Sequence, residues 1–388
     1  MINKTVAIIG AGIGGVAAAV CLRRVGLQAV LFERREYLRE AGAGLSLWPN
    51  GTSVLEQLDL LPHVLNAGQR GMNFRLLSPA GKTLMEIGTA HSDTPAVCLH
   101  RADLLRILAE ELPLEDLRLG QELTEIQPAG EKLRLQFADG GTFLCDGLVG
   151  ADGIYSQVRS MASGSRDPLS RGYLIYRAIA DAPDDLVPGD NSETWGSGQR
   201  FGVLSIAQNK VCWYATANAF DAQLTGEKRK LEILRMFNGW HRPIQDLIVA
   251  TDSSAILMSN ARDLKPFRRW GLGPTTLLGD AAHALTPNLG QGACMALEDA
   301  FVLANSLRAH ASVEKAFRIY ESLRFSRTRS AILRSRYLGW IGQWENCLAV
   351  SLRNLVTGFL PGRLFECHAT SREFIASITG SLLANVQS

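Results

Sequence analysis

The chain opens on a short apolar run, Thr5–Ile9, that ends at once in glycines, the pattern of a buried strand. From about Gly14 to Val25 the apolar positions recur at helical spacing, and Gln28–Phe32 is a second buried run, so the N-terminus predicts a βαβ unit. Arg101–Glu111 again has helical spacing. Lys132–Phe137 alternates with period two, and Gly140-Gly141 followed by Leu144–Val149 predicts a hairpin and another strand. From about Arg171 to Asp263 the texture changes. Tyr173–Ala180, Phe201–Ile206 and Val211–Thr216 are short β-like runs punctuated by Gly and Asn, predicting an antiparallel sheet that Met72–Leu77 joins. Thr276–Gly279 returns to a buried strand, a helix starts near Ala293, and the chain from about Val313 reads as helical. The order predicts an α/β protein with a discontinuous, Rossmann-like dinucleotide-binding domain made of residues 1–70, 100–165 and 270–330. A mostly antiparallel β-sheet domain (71–99 and 170–268) is inserted into it, and a helical segment (331–388) follows.

Composition narrows the function. The 40 basic and 38 acidic side chains nearly cancel, leaving no electrostatic footprint for nucleic acid. The seven cysteines, Cys21, Cys98, Cys145, Cys212, Cys294, Cys347 and Cys367, are odd in number, widely spaced and without a CxxC. That argues against a disulfide framework or a metal site and for a reducing, cytoplasmic setting. The N-terminal apolar run is too short for a signal peptide, and no stretch of ~20 apolar residues predicts a membrane span. The amphipathic C-terminal helices are expected to pack on the first domain or to touch a membrane surface peripherally.

Three motifs carry the chemistry. Gly10-Ala11-Gly12-Ile13-Gly14-Gly15 follows a strand and opens a helix. Gly10 suits the tight turn, Gly12 the approach of backbone to a pyrophosphate, and Gly15 close helix–strand packing. Glu33 ends the next strand and can accept from a ribose diol. This motif alone leaves FAD and NAD open, and with them an NAD-dependent dehydrogenase. The second motif, Asp146–Arg159, contains Ala151-Asp152-Gly153, a strand-ending turn whose amides can face phosphate, with the charge of Arg159 nearby. The third, Leu278–Gly292, reads LGDAAHALTPNLGQG.

Together and in this order the motifs resemble those of the single-component FAD-dependent aromatic hydroxylases, which have the 4-hydroxybenzoate hydroxylase fold. The resemblance covers nearly the whole chain. It implies a monooxygenase in which NADH or NADPH reduces FAD and O₂ forms a flavin C4a-hydroperoxide that hydroxylates an electron-rich aromatic or heteroaromatic small molecule. It further implies that Asp280 bonds the ribityl chain and Pro287 lies beside the flavin at the substrate side. Gly290 and Gly292 would meet the flavin's pyrimidine edge, with the positive end of the following helix pointing there. Arg101 would touch FAD phosphate, Ser46 would lie along FAD, Leu123 would offer backbone to the adenine end, and Arg34 would flank the adenosine. His283 is expected to be structural.

For the substrate, Trp195–Gly202 resembles a segment of FAD-dependent urate hydroxylase-like members. This makes Arg200 the candidate to hold an enolate or carbonyl oxygen, against the reading of an ordinary exposed strand arginine. The tyrosine those members carry on the next strand is here Cys212, with Trp213 and Tyr214 adjacent, which weakens a urate assignment. Trp195, Phe201, Trp213 and Tyr214 suit stacking on a flat ring. Arg177 is expected to gate the flavin, bind substrate or, preferably, form a structural salt bridge. The arginines of Tyr320–Arg327 are expected on a solvated helix face. Leu338–Asn346 and Leu352–Val356 resemble 2-heptyl-4-quinolone 3-monooxygenase-like members. Quinolone-, phenol- or indole-like rings are thus favoured over epoxidation or purine hydroxylation, in a monomer or homodimer.

Overall fold

The computed structural model describes residues 4–38, 43–71, 73–88, 94–164, 166–218 and 224–359. Its first layer is a parallel sheet of five strands in the order Thr275–Leu277, Gly147–Gly150, Thr5–Ile9, Gln28–Phe32, Leu117–Arg118. The three inner strands are almost wholly buried, as parallel strands covered on both faces must be. The glycine-loop helix Ile13–Arg24 packs against the helix Gly292–Ala309, which follows the third motif, so the first and last motifs meet across that contact.

The run Leu144–Val149 divides between two strands in two sheets. Thr142–Cys145 completes an antiparallel hairpin with Lys132–Phe137, and Gly147–Gly150 enters the parallel sheet. Asp146 sits at the crossing, where its backbone N–H donates to Thr5 O (2.8 Å) and its Oδ2 accepts from Thr5 N–H (2.8 Å). One apolar run serves both sheets because a single polar residue takes over both bonds of an edge residue.

The second layer is a seven-stranded sheet, Leu257–Asp263, Leu169–Asp181, Lys210–Asn218, Gln199–Ile206, Asp190–Trp195, Asn73–Leu77, Thr83–Gly88. It is antiparallel except where Asp190–Trp195 pairs with Asn73–Leu77. Met72 and Cys367 lie outside the described residues, as does 360–388 of the predicted helical segment. One face carries Phe201, Val203 and Trp213 against the helices Gly226–Met236 and Ile244–Ala250. The opposite face carries Arg200, Leu204, Cys212 and Tyr214, set one residue out of phase in each strand.

The helix Val313–Gly342 runs from the parallel sheet to the seven-stranded one. A break at 343–346 separates it from Cys347–Phe359. No helix among the described residues is long and apolar enough to cross a membrane.

Candidate active site

The glycine loop divides its glycines by what forces each of them. Gly10 has φ +105°, and a Cβ there would lie 2.6 Å from Ala151 O. At Gly15 it would lie 1.9 Å from Gly10 O, and at Gly14 2.7 Å from Leu278 Cδ2. At Gly10 and Gly15 the obstacle is backbone, so the packing demands glycine there, whereas at Gly14 it is the movable end of a side chain. Gly12 is different: a Cβ there would meet nothing within 4 Å, so the space it keeps open is not needed by the chain. It is also the N-cap of Ile13–Arg24 and has no side-chain cap, so the first helical N–H groups face that space. Glu33 Oε2 accepts from Ala11 N–H (2.9 Å), which places the ribose-binding candidate against the loop. Arg34 is exposed beside it.

Asp152 caps the next helix through Oδ2, which accepts from Gln157 N–H (2.7 Å) and Val158 N–H (3.1 Å), while Oδ1 is buried with no partner. Burial pushes its carboxyl pKa up despite these bonds. Arg159 lies buried between the second and third motifs. Its guanidinium is spent on the carbonyls of Ala281 (2.8 Å), Ile154 (2.7 Å) and Arg166 (3.2 Å), so it ties the second motif to the third.

Asp280 starts a short helix directly after the strand Thr275–Leu277. Its side chain is open to solvent, yet protein surrounds it closely, as on the floor of a cleft. Burial raises its pKa, and the charges of His283 and Arg101 act against that rise. Arg101, whose N–H donates to Ala43 O (3.3 Å), is thereby placed near Asp280. Ser46 Oγ lies 3.5 Å from Cys98 Sγ in the neighbouring strand pair, and Leu123 is buried at the start of Leu123–Ala129. Pro287 opens a 3-10 turn, and Gly290 follows at φ +62°, where a Cβ would lie 2.9 Å from Trp48 Nε1. A Cβ on Gly292 would meet nothing. Trp48 Nε1 and Gln291 Nε2 are buried without partners beside these glycines. The orphaned polar atoms of Asp152, Trp48 and Gln291 and the open positions at Gly12 and Gly292 fit an extended dinucleotide with a polar ring, as FAD has.

Behind this loop lies a buried ion cluster. His283 Nε2 is 2.5 Å from Asp299 Oδ2, which also accepts from Gly279 N–H (2.9 Å). Arg324 donates to Asp299 Oδ1 (2.6 Å) and Glu298 Oε2 (2.6 Å), and Arg327 also binds Glu298 through Nε (2.6 Å). Burial pushes both carboxyls up, but the facing cations outweigh it and hold them below their ordinary values. The solvated face expected of Tyr320–Arg327 is thus corrected: Arg324 is fully buried because two carboxylates of the motif helix neutralise it. His283 belongs to this scaffold, as expected.

In front of the loop stands the sheet. Arg200 is 2% exposed, which removes the exposed-arginine reading. Its Nη1 donates to Glu193 (3.1 Å), Nη2 to Asn288 Oδ1 (2.6 Å), and Nε to Gln343 Oε1 (2.9 Å) and Thr216 Oγ1 (3.2 Å). Asn288 follows Pro287, so the guanidinium joins the sheet to the third motif and to the long helix. That helix makes room with glycine. A Cβ on Gly342 would come 2.8 Å from Arg200 Cδ, and one on Gly339 2.5 Å from Asn288 Nδ2.

Arg177 has no carboxylate partner among the described residues; the expected salt bridge is replaced by a bond to Ser259 Oγ (2.8 Å), and burial lowers its pKa. Tyr214 lies over Gly202, where a Cβ would be 2.1 Å from its ring, and burial raises its pKa well above 10. Cys212 is pushed up to about 12 by burial and accepts from Gly44 N–H (3.1 Å), so it is an apolar wall rather than a base.

Trp195 is buried with the Arg353 guanidinium 5.2 Å from its ring. Trp213 and Phe201 do not reach this face. They stack on each other at 5.3 Å in the helical layer behind the sheet, because strand alternation turns them away from Cys212 and Arg200. Sequence reasoning missed Asn218, Glu193 and Gln343, which lie far from Asn288 along the chain; the GWIG glycines of the long helix were the only local sign of the contact.

Open glycine positions beside orphaned polar atoms, on a loop held from both sides and facing a second sheet, are what a dinucleotide-binding oxidoreductase requires. The FAD binding domain family matches residues 3–333. An aurachin C monooxygenase/isomerase of Stigmatella aurantiaca is 37% identical over 353 residues, covering 90% of this chain and 92% of the relative. A FAD-dependent urate hydroxylase of Mycolicibacterium vanbaalenii is 32% identical, covering 85% and 87%. The crystal structure of Klebsiella pneumoniae HpxO complexed with FAD and uric acid superposes with a TM-score of 0.87 at 24% identity, covering 96% of this chain and 97% of that one. The chain belongs to the FAD-binding family of monooxygenases, which decides between the FAD and NAD readings that the glycine loop left open.

Proposed function

We propose that this monooxygenase hydroxylates an electron-rich heteroaromatic ring of the 4-quinolone type, using NADH or NADPH and O₂. The observation that carries the reading is the bond from Arg200 to Asn288 (2.6 Å), which sets the sheet's front face against the loop holding Pro287. A ring held there lies between the flavin position and the sheet. FAD, when bound, supplies the electron transfer and oxygen activation. The chain's own groups do the rest. The helix Gly292–Ala309 points its N-terminus at the loop and favours negative charge there. Arg177, bonded on this face only to a hydroxyl, is placed to hold the enolate oxygen of a quinolone and keep the ring electron-rich. Cys212 and Leu204 form an apolar wall that excludes water.

The resemblance of Leu338–Asn346 and Leu352–Val356 to 2-heptyl-4-quinolone 3-monooxygenase-like members supports a quinolone-like ring. Urate is the second reading, favoured by Tyr214, a protonated phenol on the same face. The domain limits expected from the sequence, a cytoplasmic setting and a monomer or homodimer belong to the same proposal; the absence of a disulfide among the described cysteines suits a reducing compartment. The test follows NAD(P)H loss against H₂O₂ formed with 2-alkyl-4-quinolones, phenols, indoles and urate. Quinolones are expected to give the smallest share of H₂O₂. Tight coupling with urate, and none with quinolones or phenols, overturns the assignment.

A further inference from the structure

The helix Cys347–Phe359 lies against the strand Thr83–Gly88, so it packs on the second sheet. Its one charged residue is Arg353, which is 4% exposed and has no carboxylate partner among the described residues. Burial, and then the nearby charge of Arg200, push its pKa down to about 10. Two guanidinium groups thus stand near each other in the interior, and the one carboxylate beside them, Glu193, is bound to Arg200. Stability alone does not account for this, because a buried charge served by neutral acceptors is costly.

The bonds of Arg353 are all to the surroundings of Arg200 or to its own neighbour Asn354. Its Nη1 donates to Ile341 O and Gly342 O (both 3.4 Å), two of the last carbonyls of the long helix, where a cation is favoured. Its Nη2 donates to Gly196 O (2.9 Å), and its guanidinium carbon stands 5.2 Å from the centre of the Trp195 ring. Trp195 is the cross-strand partner of Arg200, and the turn between them closes through Gly196 N–H donating to Gln199 O (2.8 Å). Gln343, the residue after Gly342, accepts from Arg200 Nε (2.9 Å) and donates to Gly198 O (3.0 Å). Arg353 therefore spans the two segments that set the Arg200 side chain: the turn that precedes it and the helix end whose amide it meets.

We infer that Arg353 is a positioning residue for oxygenation: by clamping the turn before Arg200 to the end of the long helix, it keeps the Arg200 guanidinium on Asn288. The inference rests on the reading above, in which the Arg200–Asn288 contact sets the place of the ring, and deepens it.

The test compares Arg353→Met, Arg200→Ala and the double variant as FAD-loaded full chains. Hydrogen exchange in the Pro287–Leu289 turn is read by mass spectrometry with FAD alone, since Arg353 makes no bond to that turn and a merely local role would not move it. Product per NAD(P)H is read with whichever of the 2-alkyl-4-quinolones, phenols, indoles or urate the wild type couples best. Arg353→Met is expected to keep FAD affinity within about twofold, to speed exchange in the turn by about threefold to tenfold, and to lower coupling by a similar factor. In the Arg200→Ala background the same substitution is expected to change neither readout further, because its effect passes through Arg200. Unchanged exchange, unchanged coupling, an equal effect in both backgrounds, or loss of FAD along with coupling overturns the inference. If no compound is hydroxylated, the ring assignment falls, and the exchange cycle by itself upholds or overturns the clamp.

Discussion

Two arginines grip the loop of the third motif from opposite sides, and they do so with different chemistry. Behind it, Arg324 meets two carboxylates, Glu298 and Asp299, with no exposure on any of the three side chains. In front, Arg200 meets one carboxylate, Glu193, and three neutral oxygens, on Asn288, Gln343 and Thr216. The rear cluster is a closed set of charges within one domain layer. The front one spans the sheet, the loop and the long helix, and its bonds to neutral amides are individually weaker. The difference separates what holds the loop's shape from what holds the front sheet against it.

The largest expected effect breaks the rear grip. Arg324→Met leaves Glu298 and Asp299 buried with reduced compensation and should cost about 3–5 kcal/mol of stability. Chemical denaturation of the FAD-loaded protein reads it, and a loss under 1 kcal/mol would show that the cluster is not the anchor. Arg200→Ala should leave the loop and the flavin spectrum in place but cut product formed per NAD(P)H by about tenfold, the worth of one charged hydrogen bond. Unchanged coupling would make the two arginines equivalent scaffolds. Asp280→Ala, at the loop's start, should weaken FAD binding by up to about tenfold, measured by flavin fluorescence on titration. Retention of full affinity would remove Asp280 from the cofactor site.

The smallest effect is in pH. Glu298 and Asp299 have folded-state pKa values below their ordinary ones, so the unfolded chain binds more protons as pH falls through the carboxylate range. Their contribution is complete above about pH 4.5 and declines below that as the folded carboxyls protonate. Acid titration of stability should therefore fall in wild type, and less steeply in Arg324→Met. Equal slopes would contradict the coupling.

The nucleotide side of the molecule was legible because its signals are contiguous. Gly10–Gly15 and Leu278–Gly292 each carry a strand end, a turn and a helix start within a few residues, and chain order alone brings them together. The front grip was less so. Arg200 was singled out, but its partners Asn288 and Gln343 are 88 and 143 residues away, and no local pattern announces such a contact. The burial of Arg324 was hidden for the same reason, since an arginine on a helix looks solvated until its carboxylates are placed. Trp213 was misread against a rule already in hand: alternation puts it opposite Cys212 and Tyr214, so those three could never share one wall. Asp146 carries the opposite lesson, one polar residue dividing an apolar run that composition treats as continuous.

The account's central claim is that the loop and the front sheet together hold a quinolone-type ring for oxygenation. The direct measurement is turnover of a 2-alkyl-4-quinolone under ¹⁸O₂, with mass spectrometry of the product and parallel counting of NAD(P)H consumed. The account predicts one labelled oxygen on the ring and close to one product for each NAD(P)H oxidised, both degraded in Arg200→Ala. Unlabelled product, or NAD(P)H oxidation that yields only H₂O₂ with every quinolone while urate gains the label, would contradict it.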